Sequence, residues 1–370
     1  MNHAALVAGA LVVLAACGLA ASPAGGPTAE DAKAGILTGN FAWTVGPPVL
    51  HAVPSGGEEW IAVKDPSVVR HNDRWHVFCT VRGPTRSHAV IYVSFAKWEL
   101  ASEAKPQVLP CHKGFFCAPQ VFFFSPQKKW YLLCQASDES WTPKYQAAYA
   151  TTADIADPNS WSKLQPLGAK PAEGKAGLDF WVIADAARAH LFFTTNDGRL
   201  WREHTALKDF PDGWSAPALA IQGDIFEASH TYRLKGLDKY LTLVEAQGGH
   251  GWRYYQAYLG ERLEGPWTAL AADKEKAFAS MRNVRFSGER WTDAISHGEL
   301  LRAACDEKLE VDPDHLRFLF QGVLDKERSG KGYGKIPWRL GILEPARPAV
   351  EPSGTDSQPG APAPADRPRR

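Results

Sequence analysis

Three carboxylates stand out by type and place. Asp65 in Lys64-Asp65-Pro66, Asp179 in Leu178-Asp179-Phe180-Trp181 and Glu227 in Phe226-Glu227-Ala228 each open a short β-prone stretch, as does His297 in Ser296-His297-Gly298-Glu299. The corresponding place in a further stretch, Ala118-Pro119-Gln120, carries no ionisable group. Positions that differ where their surroundings agree point to a site rather than to a structural requirement. One carboxylate in such a place is explained as well by capping a turn; three in register are not. Three carboxylates converging on one pocket suit hydrolysis of a glycosidic bond. One must be protonated to donate to the leaving oxygen, and another must stay ionised to activate water or attack carbon. A third can keep the acid protonated, because neighbouring negative charge pushes a carboxyl pKa upward. Aromatic rings fit sugar binding, since their apolar faces stack on pyranose faces, but with 14 Trp in the chain most must be core.

Such convergence needs a scaffold that brings distant stretches to one place. Strand-like runs recur at Trp75-His76-Val77-Phe78, Trp130-Tyr131-Leu132-Leu133, His190-Leu191-Phe192-Phe193, Lys239-Tyr240-Leu241-Thr242 and, after a longer gap, Leu316-Arg317-Phe318-Leu319. Each is preceded by a β-prone stretch and a turn signal, as in Pro66-Ser67-Val68-Val69-Arg70 before His71-Asn72-Asp73-Arg74. A third stretch follows, such as Ile91-Tyr92-Val93-Ser94 or Tyr254-Tyr255-Gln256-Ala257-Tyr258, and then a Trp-led edge at Trp98, Trp161, Trp214 and Trp267. Three or four strands per unit, repeated at about 50–60 residues, are the pattern of propeller blades. Capped helical patterns are scarce, which argues against alternating strand and helix. The expectation is an all-β, five-bladed β-propeller, with a β-sandwich as the alternative. The first strand of each blade lines the central channel, so Asp65, Asp179, Glu227 and His297 should meet at one mouth of it.

The 370 residues balance 41 Lys+Arg against 41 Asp+Glu, leaving no electrostatic footprint for nucleic acid. A hydrophobic content of 45% excludes a mainly disordered chain. The apolar run from Ala4 to Ala16 is too short to span a bilayer and reads as the core of a secretory signal. Leu14-Ala15-Ala16-Cys17 resembles a bacterial lipobox, whose cysteine is lipidated after cleavage; ordinary cleavage near Ala20-Ala21 is the alternative. The expected organisation is a signal over 1–17, a linker over 18–36, the propeller over 37–345 and a disordered Pro-rich tail over 346–370. The chain is thus expected to be exported, either secreted or held as a lipoprotein at the bacterial surface or in the periplasm, and monomeric. Cys79 and Cys134 lie in apolar runs and read as core. Cys111 and Cys117 flank a short loop and could pair in an oxidising compartment. No Cys-x-x-Cys pair is present to build a zinc knuckle.

Several motifs in order resemble glycoside hydrolase family 62: Lys64-Asp65-Pro66-Ser67-Val68-Val69, Leu178-Asp179-Phe180-Trp181-Val182-Ile183, Phe226-Glu227-Ala228, Leu243-Val244-Glu245-Ala246 with Arg253-Tyr254-Tyr255, Ile295-Ser296-His297-Gly298-Glu299-Leu300, Phe318-Leu319-Phe320-Gln321-Gly322 and Pro337-Trp338-Arg339-Leu340-Gly341. The resemblance runs from about residue 37 to 344. It implies an α-L-arabinofuranosidase on a five-bladed propeller, removing arabinose side chains from arabinoxylan with inversion. By motif, it implies Asp65 as general base, Glu227 as general acid, and Asp179 as the carboxylate that raises the pKa of the acid and orients it. It further implies Lys64 as a sugar contact, Tyr333 as a substrate-contacting tyrosine, and His297 as the channel histidine near which members hold calcium, mostly through water. No organic cofactor is implied. A plain hydrogen-bonded channel residue is the alternative for His297. Where many members carry Tyr-Gln-Trp-Gly, this chain has Cys134-Gln135-Ala136-Ser137, leaving Trp141 as the nearby aromatic for a sugar subsite; Asp293-Ala294 stands where Asn-Asp is usual. Two alternatives share much of this pattern: a neighbouring five-bladed glycosidase acting on arabinan or xylosides, and a carbohydrate-binding propeller without catalysis, against which the three intact carboxylates argue.

Overall fold

The computed structural model describes residues 29–248 and 251–346. The signal segment with Cys17, residues 18–28 of the expected linker and 347–370 of the expected tail lie outside the described residues. Five separate sheets surround one channel, the five-bladed propeller that the repeats predict. Blade one comprises Ala62–His71, Arg74–Arg82, Ala89–Phe95 and Gln107–Val108; blade two Phe116–Phe124, Lys129–Ser137, Tyr145–Thr152 and Gln165–Pro166; blade three Leu178–Ala184, Arg188–Thr194, Arg199–Ala206 and Ala218–Gln222. Blade four contains Glu227–Leu234, Tyr240–Gln247, Arg253–Gly260 and Trp267–Ala271. Inner strands such as Ala62–His71 and Phe116–Phe124 are buried almost throughout. Each blade is sandwiched between two others, so these strands read as continuous rather than alternating apolar runs.

Blade five is composite. Its inner strands Ser296–Leu300 and Phe318–Gly322 are followed by Arg339–Pro345, which pairs antiparallel with Trp43–Val45 from the other end of the chain; Trp43–Val45 in turn pairs with Val284–Phe286. The long gap before this unit's second strand has a use. The segment after Leu300 crosses the far end of the channel, accepting amide hydrogen bonds from Phe123 at Cys305, from Ala184 at Glu307, and from Arg233 at Leu309. Arg302 joins it, donating to the carbonyls of Val68 and Val121 at 3.0 and 2.7 Å and pairing with Glu299 at 2.6 Å. Blades one to four are thereby bound to one strap from blade five.

Three details depart from the sequence reading. Residues Ala29–Thr38 form a helix that ends at Gly39 with φ +71°, and Ile36 is buried in the core. Part of the segment expected to be linker is thus helical. Of the four Trp-led edges only Trp267 opens a strand; Trp98 starts a 3-10 helix, and Trp161 and Trp214 precede their edge strands. These rings are anchors rather than edge residues: Trp214 donates to the carbonyls of Leu167 and Pro211, and Trp161 stands edge-on to Phe78. Cys111 and Cys117 are free thiols. Cys117 is directed to the channel by its strand, whereas Cys111 packs in the core around blade one.

Candidate active site

The inner strand of every blade is bulged where it enters the channel. Register breaks fall between Lys64 and Ser67, Cys117 and Gln120, Leu178 and Trp181, Glu227 and His230, and Ser296 and Gly298. In four blades the residue after the break begins is left-handed: Asp65 (φ 45°), Ala118 (51°), Asp179 (53°) and Ala228 (52°). Such a conformation is unfavourable for a residue with a Cβ. Two of the four are alanines, so the strain belongs to the blade design and not to the chemistry. The bulges also correct the sequence register. Asp65, Asp179 and His297 are equivalent, but Glu227 stands one residue earlier, at the position of Lys64, Cys117 and Leu178.

Each strained amide is held by a neighbouring blade. The residues opposite the break are Thr80, Gln135, Thr194, Glu245 and Gln321. Thr80 accepts from Ala118 N–H at 2.8 Å, Gln135 from Asp179 N–H at 3.0 Å, Glu245 from His297 N–H at 3.2 Å and Gln321 from Asp65 N–H at 2.9 Å. The ring has one exception. Thr194 Oγ1 is buried without a partner, and the Asp179 carboxylate accepts from Ala228 N–H instead, at 2.9 Å. One oxygen of Asp179 is thus fixed by the blade that carries Glu227.

The side chains converge as expected. His297 Nδ1 lies 3.4 Å from Asp65 and 3.8 Å from Asp179. Lys64 Nζ lies 3.6 Å from Asp65 and donates to the Tyr333 hydroxyl at 3.3 Å. Burial alone would raise the Asp65 pKa, but Lys64 and then His297 outweigh it and hold the carboxyl below its usual range. Asp179 is pushed to about 7, by burial and then by the charge of Asp65. Glu227 is also raised, by burial and then by Asp179, against the opposing pull of Arg253. Trp141 joins a different group, its indole stacked on His112 in the loop of blade two.

Several site residues carried no role in the sequence reading. Arg253, 3% exposed, reaches Glu227 at 2.7 Å and Glu245 at 3.1 Å, and Glu245 also accepts from Ser296 Oγ. Gln321 donates to that same hydroxyl, so blades four and five are linked beneath Glu227. The signal was present in Leu243-Val244-Glu245-Ala246: a carboxylate among apolar strand residues is buried and must be paired.

The His297 ring lies tilted beside His230, with centroids 5.3 Å apart, and His230 Nδ1 is buried without a partner. An orphaned polar atom beside His297, with the Asp65 and Asp179 carboxylates also close to that ring, suits a hydrated cation better than a fully protein-ligated one, since these side chains form no compact set of three ligands among the described residues. Asp185, His190 and Glu264 do cluster, at blade three. There Arg202 Nη1 lies 3.2 Å from His190 Nδ1, which must accept, so the ring proton sits on Nε2 and is donated to Asp185 at 3.0 Å. A metal would need that nitrogen bare; the trio is instead a hydrogen-bonded cluster, with Arg188 meeting the charge of Glu264.

Comparison with known proteins gives a family match, "Glycosyl hydrolase family 62", over residues 43–344. The chain is 38% identical over 314 residues to alpha-L-arabinofuranosidase C of Cellvibrio japonicus, covering 83% of this chain and 47% of that protein. It thus spans about half the length of that curated relative. The catalytic domain of a family 62 α-L-arabinofuranosidase from Coprinopsis cinerea superposes with a TM-score of 0.77 at 36% identity, covering 83% of this chain and 98% of that one. A family 62 hydrolase solved with xylotriose gives 0.76 at 31% identity, covering 84% and 99%.

Proposed function

The chain belongs to glycosyl hydrolase family 62, and from that membership we propose that it is an exported α-L-arabinofuranosidase removing arabinofuranosyl side chains from arabinoxylan with inversion. The observation that carries the reading is the opposite treatment of two carboxylates in one pocket. Asp65 is held ionised by Lys64 and His297, while Glu227 is driven toward its protonated form. They are also held by different partners, Glu227 by Arg253 and Asp65 by Lys64; inversion requires roughly 6.5–9.5 Å between the two carboxyls to leave room for water. In this reading Asp65 takes a proton from water as its oxygen attacks the anomeric carbon. Glu227 gives its proton to the xylose oxygen as the old C–O bond breaks. Asp179, fixed on Ala228 N–H, stands beside Glu227, orients it and raises its pKa wherever Asp179 is ionised. Lys64 and Tyr333 hold the sugar, and xylan is supported as main chain by the xylotriose bound to a relative. A calcium ion near His297, held mostly by water, would supply fixed positive charge to the channel. Lipidation of Cys17 would anchor the enzyme as a monomer at the cell surface; two or more acyl chains are needed for a stable anchor.

The test is proton NMR of the first arabinose released from arabinoxylan. The β anomer is expected first. An α anomer would mean a covalent intermediate and remove the base role from Asp65, and release from arabinan but not arabinoxylan would favour the neighbouring glycosidase reading.

A further inference from the structure

At the mouth of the pocket the chain runs from blade five towards blade one through Gly330-Lys331-Gly332-Tyr333-Gly334. Residues 329–333 are exposed, and three glycines give this stretch little conformational restraint of its own. Tyr333 nevertheless stands with its hydroxyl 3.3 Å from Lys64 Nζ and its ring centroid 5.0 Å from the same atom. A single 3-10 turn, closed by Lys335 N–H on Gly332 at 2.8 Å, shapes the loop but does not attach it to blade one.

Beside the side-chain contact of Tyr333 with Lys64, Arg82 attaches the backbone of the loop to blade one. It is the last residue of the strand Arg74–Arg82, and its Nε donates to the Gly334 carbonyl at 2.7 Å. The guanidinium lies flat against the Gly334 backbone: a Cβ there would stand 1.9 Å from Nη2 and 2.3 Å from Cζ. The other side of the guanidinium is fixed as well, with Nη1 3.3 Å from His88 Nε2. Burial and then Lys64 push the His88 pKa down to about 4, so the imidazole is neutral and that nitrogen can accept.

We infer that Arg82 is a positioning residue that sets the affinity of the pocket for its sugar, by pinning Gly334 so that Tyr333 covers Lys64. The affinity half of this inference rests on Tyr333 contacting substrate, as proposed above. Arg82→Ala should raise KM for an arabinoxylo-oligosaccharide about ten-fold, equivalent to about 1.4 kcal/mol, with kcat nearly unchanged. Arg82→Lys should behave alike, because an ammonium cannot lie flat on the glycine. Gly334→Ala should reproduce the effect from the other side, and melting temperatures will show whether each variant is folded. In a Tyr333→Ala background Arg82→Ala should cost nothing more, since coupled residues are not additive. Cleavage by trypsin after Lys331 reads the pin without reference to the reaction, and should accelerate several-fold in Arg82→Ala and Gly334→Ala. Unchanged cleavage would overturn the pin. Faster cleavage with unchanged KM, restoration of KM by lysine, or full additivity with Tyr333→Ala would overturn its role in affinity. A wild-type chain that hydrolysed no arabinofuranoside would overturn the functional reading and the affinity half with it, while the pin would still stand or fall by proteolysis.

Discussion

Among the three carboxylates Asp65 alone titrates downward; Asp179 and Glu227 titrate upward. The sign of the pH dependence follows. Asp65 must be ionised, so kcat/KM should hold until the pH falls below the usual aspartate range. Glu227 must be protonated, so kcat/KM should decline only above the usual glutamate range. Asp179, itself pushed to about 7, carries its charge mainly above that pH, where it holds Glu227 protonated; Asp179→Asn removes that charge, and the basic limb should therefore move to lower pH while the rate drops. A pH series on an aryl arabinofuranoside checks this, and a limb that stayed put or moved up would remove Asp179 from its role. Glu227→Gln should spare such activated substrates more than xylan, because a good leaving group needs less protonation. The carboxylates were legible as residues because each opens a repeat unit. The one-residue offset of Glu227 was not, because a bulge leaves no mark in composition. Nor were Gln135 and Gln321, whose work is done across blade boundaries that a linear pattern does not display; Glu245 was marked by its apolar run, but its partner Arg253 was not.

At the scale of elements, the blades were visible because doubly buried strands read as unbroken apolar runs; Trp75–Phe78 and its counterparts in blades two and three fall inside second strands, and those in blades four and five overlap them. Two-residue edges such as Gln107–Val108 and Gln165–Pro166 carry no such signal, so the conspicuous tryptophans beside them were mistaken for the edges themselves. The strap beyond Leu300 announced itself only as a longer spacing. Its anchor is the Glu299–Arg302 pair, both side chains fully buried. Removing one partner of such a pair leaves an unpaired buried charge and costs roughly 3–5 kcal/mol, whereas replacing both with apolar residues is often close to neutral. Arg302→Met should therefore lower the melting temperature sharply, and Glu299→Leu with Arg302→Met should recover part of the loss. A double variant less stable than the single one would show that Glu299, which also accepts from Val68 N–H at 3.1 Å, contributes more through that bond than its unpaired charge costs.

At the scale of the molecule, the fifth blade joins Trp43–Val45 to Arg339–Pro345, a closure between chain ends that no local motif near Trp43 predicts. The helix Ala29–Thr38 was missed for a related reason: its sequence, AEDAKAGILT, follows a Pro- and Gly-rich stretch and becomes ordered against the turn Pro313–His315 of the strap. That strap has a kinetic consequence. With Arg302 and Glu299 plugging the far end, the channel is a cul-de-sac and the sugar has one door. A polysaccharide main chain cannot be threaded through it, so only a terminal side residue can be admitted. The freed monosaccharide must also back out before the next can enter. Arabinose should therefore inhibit in a purely competitive manner against the polysaccharide, and any inhibition of a different type would mean that a second exit exists.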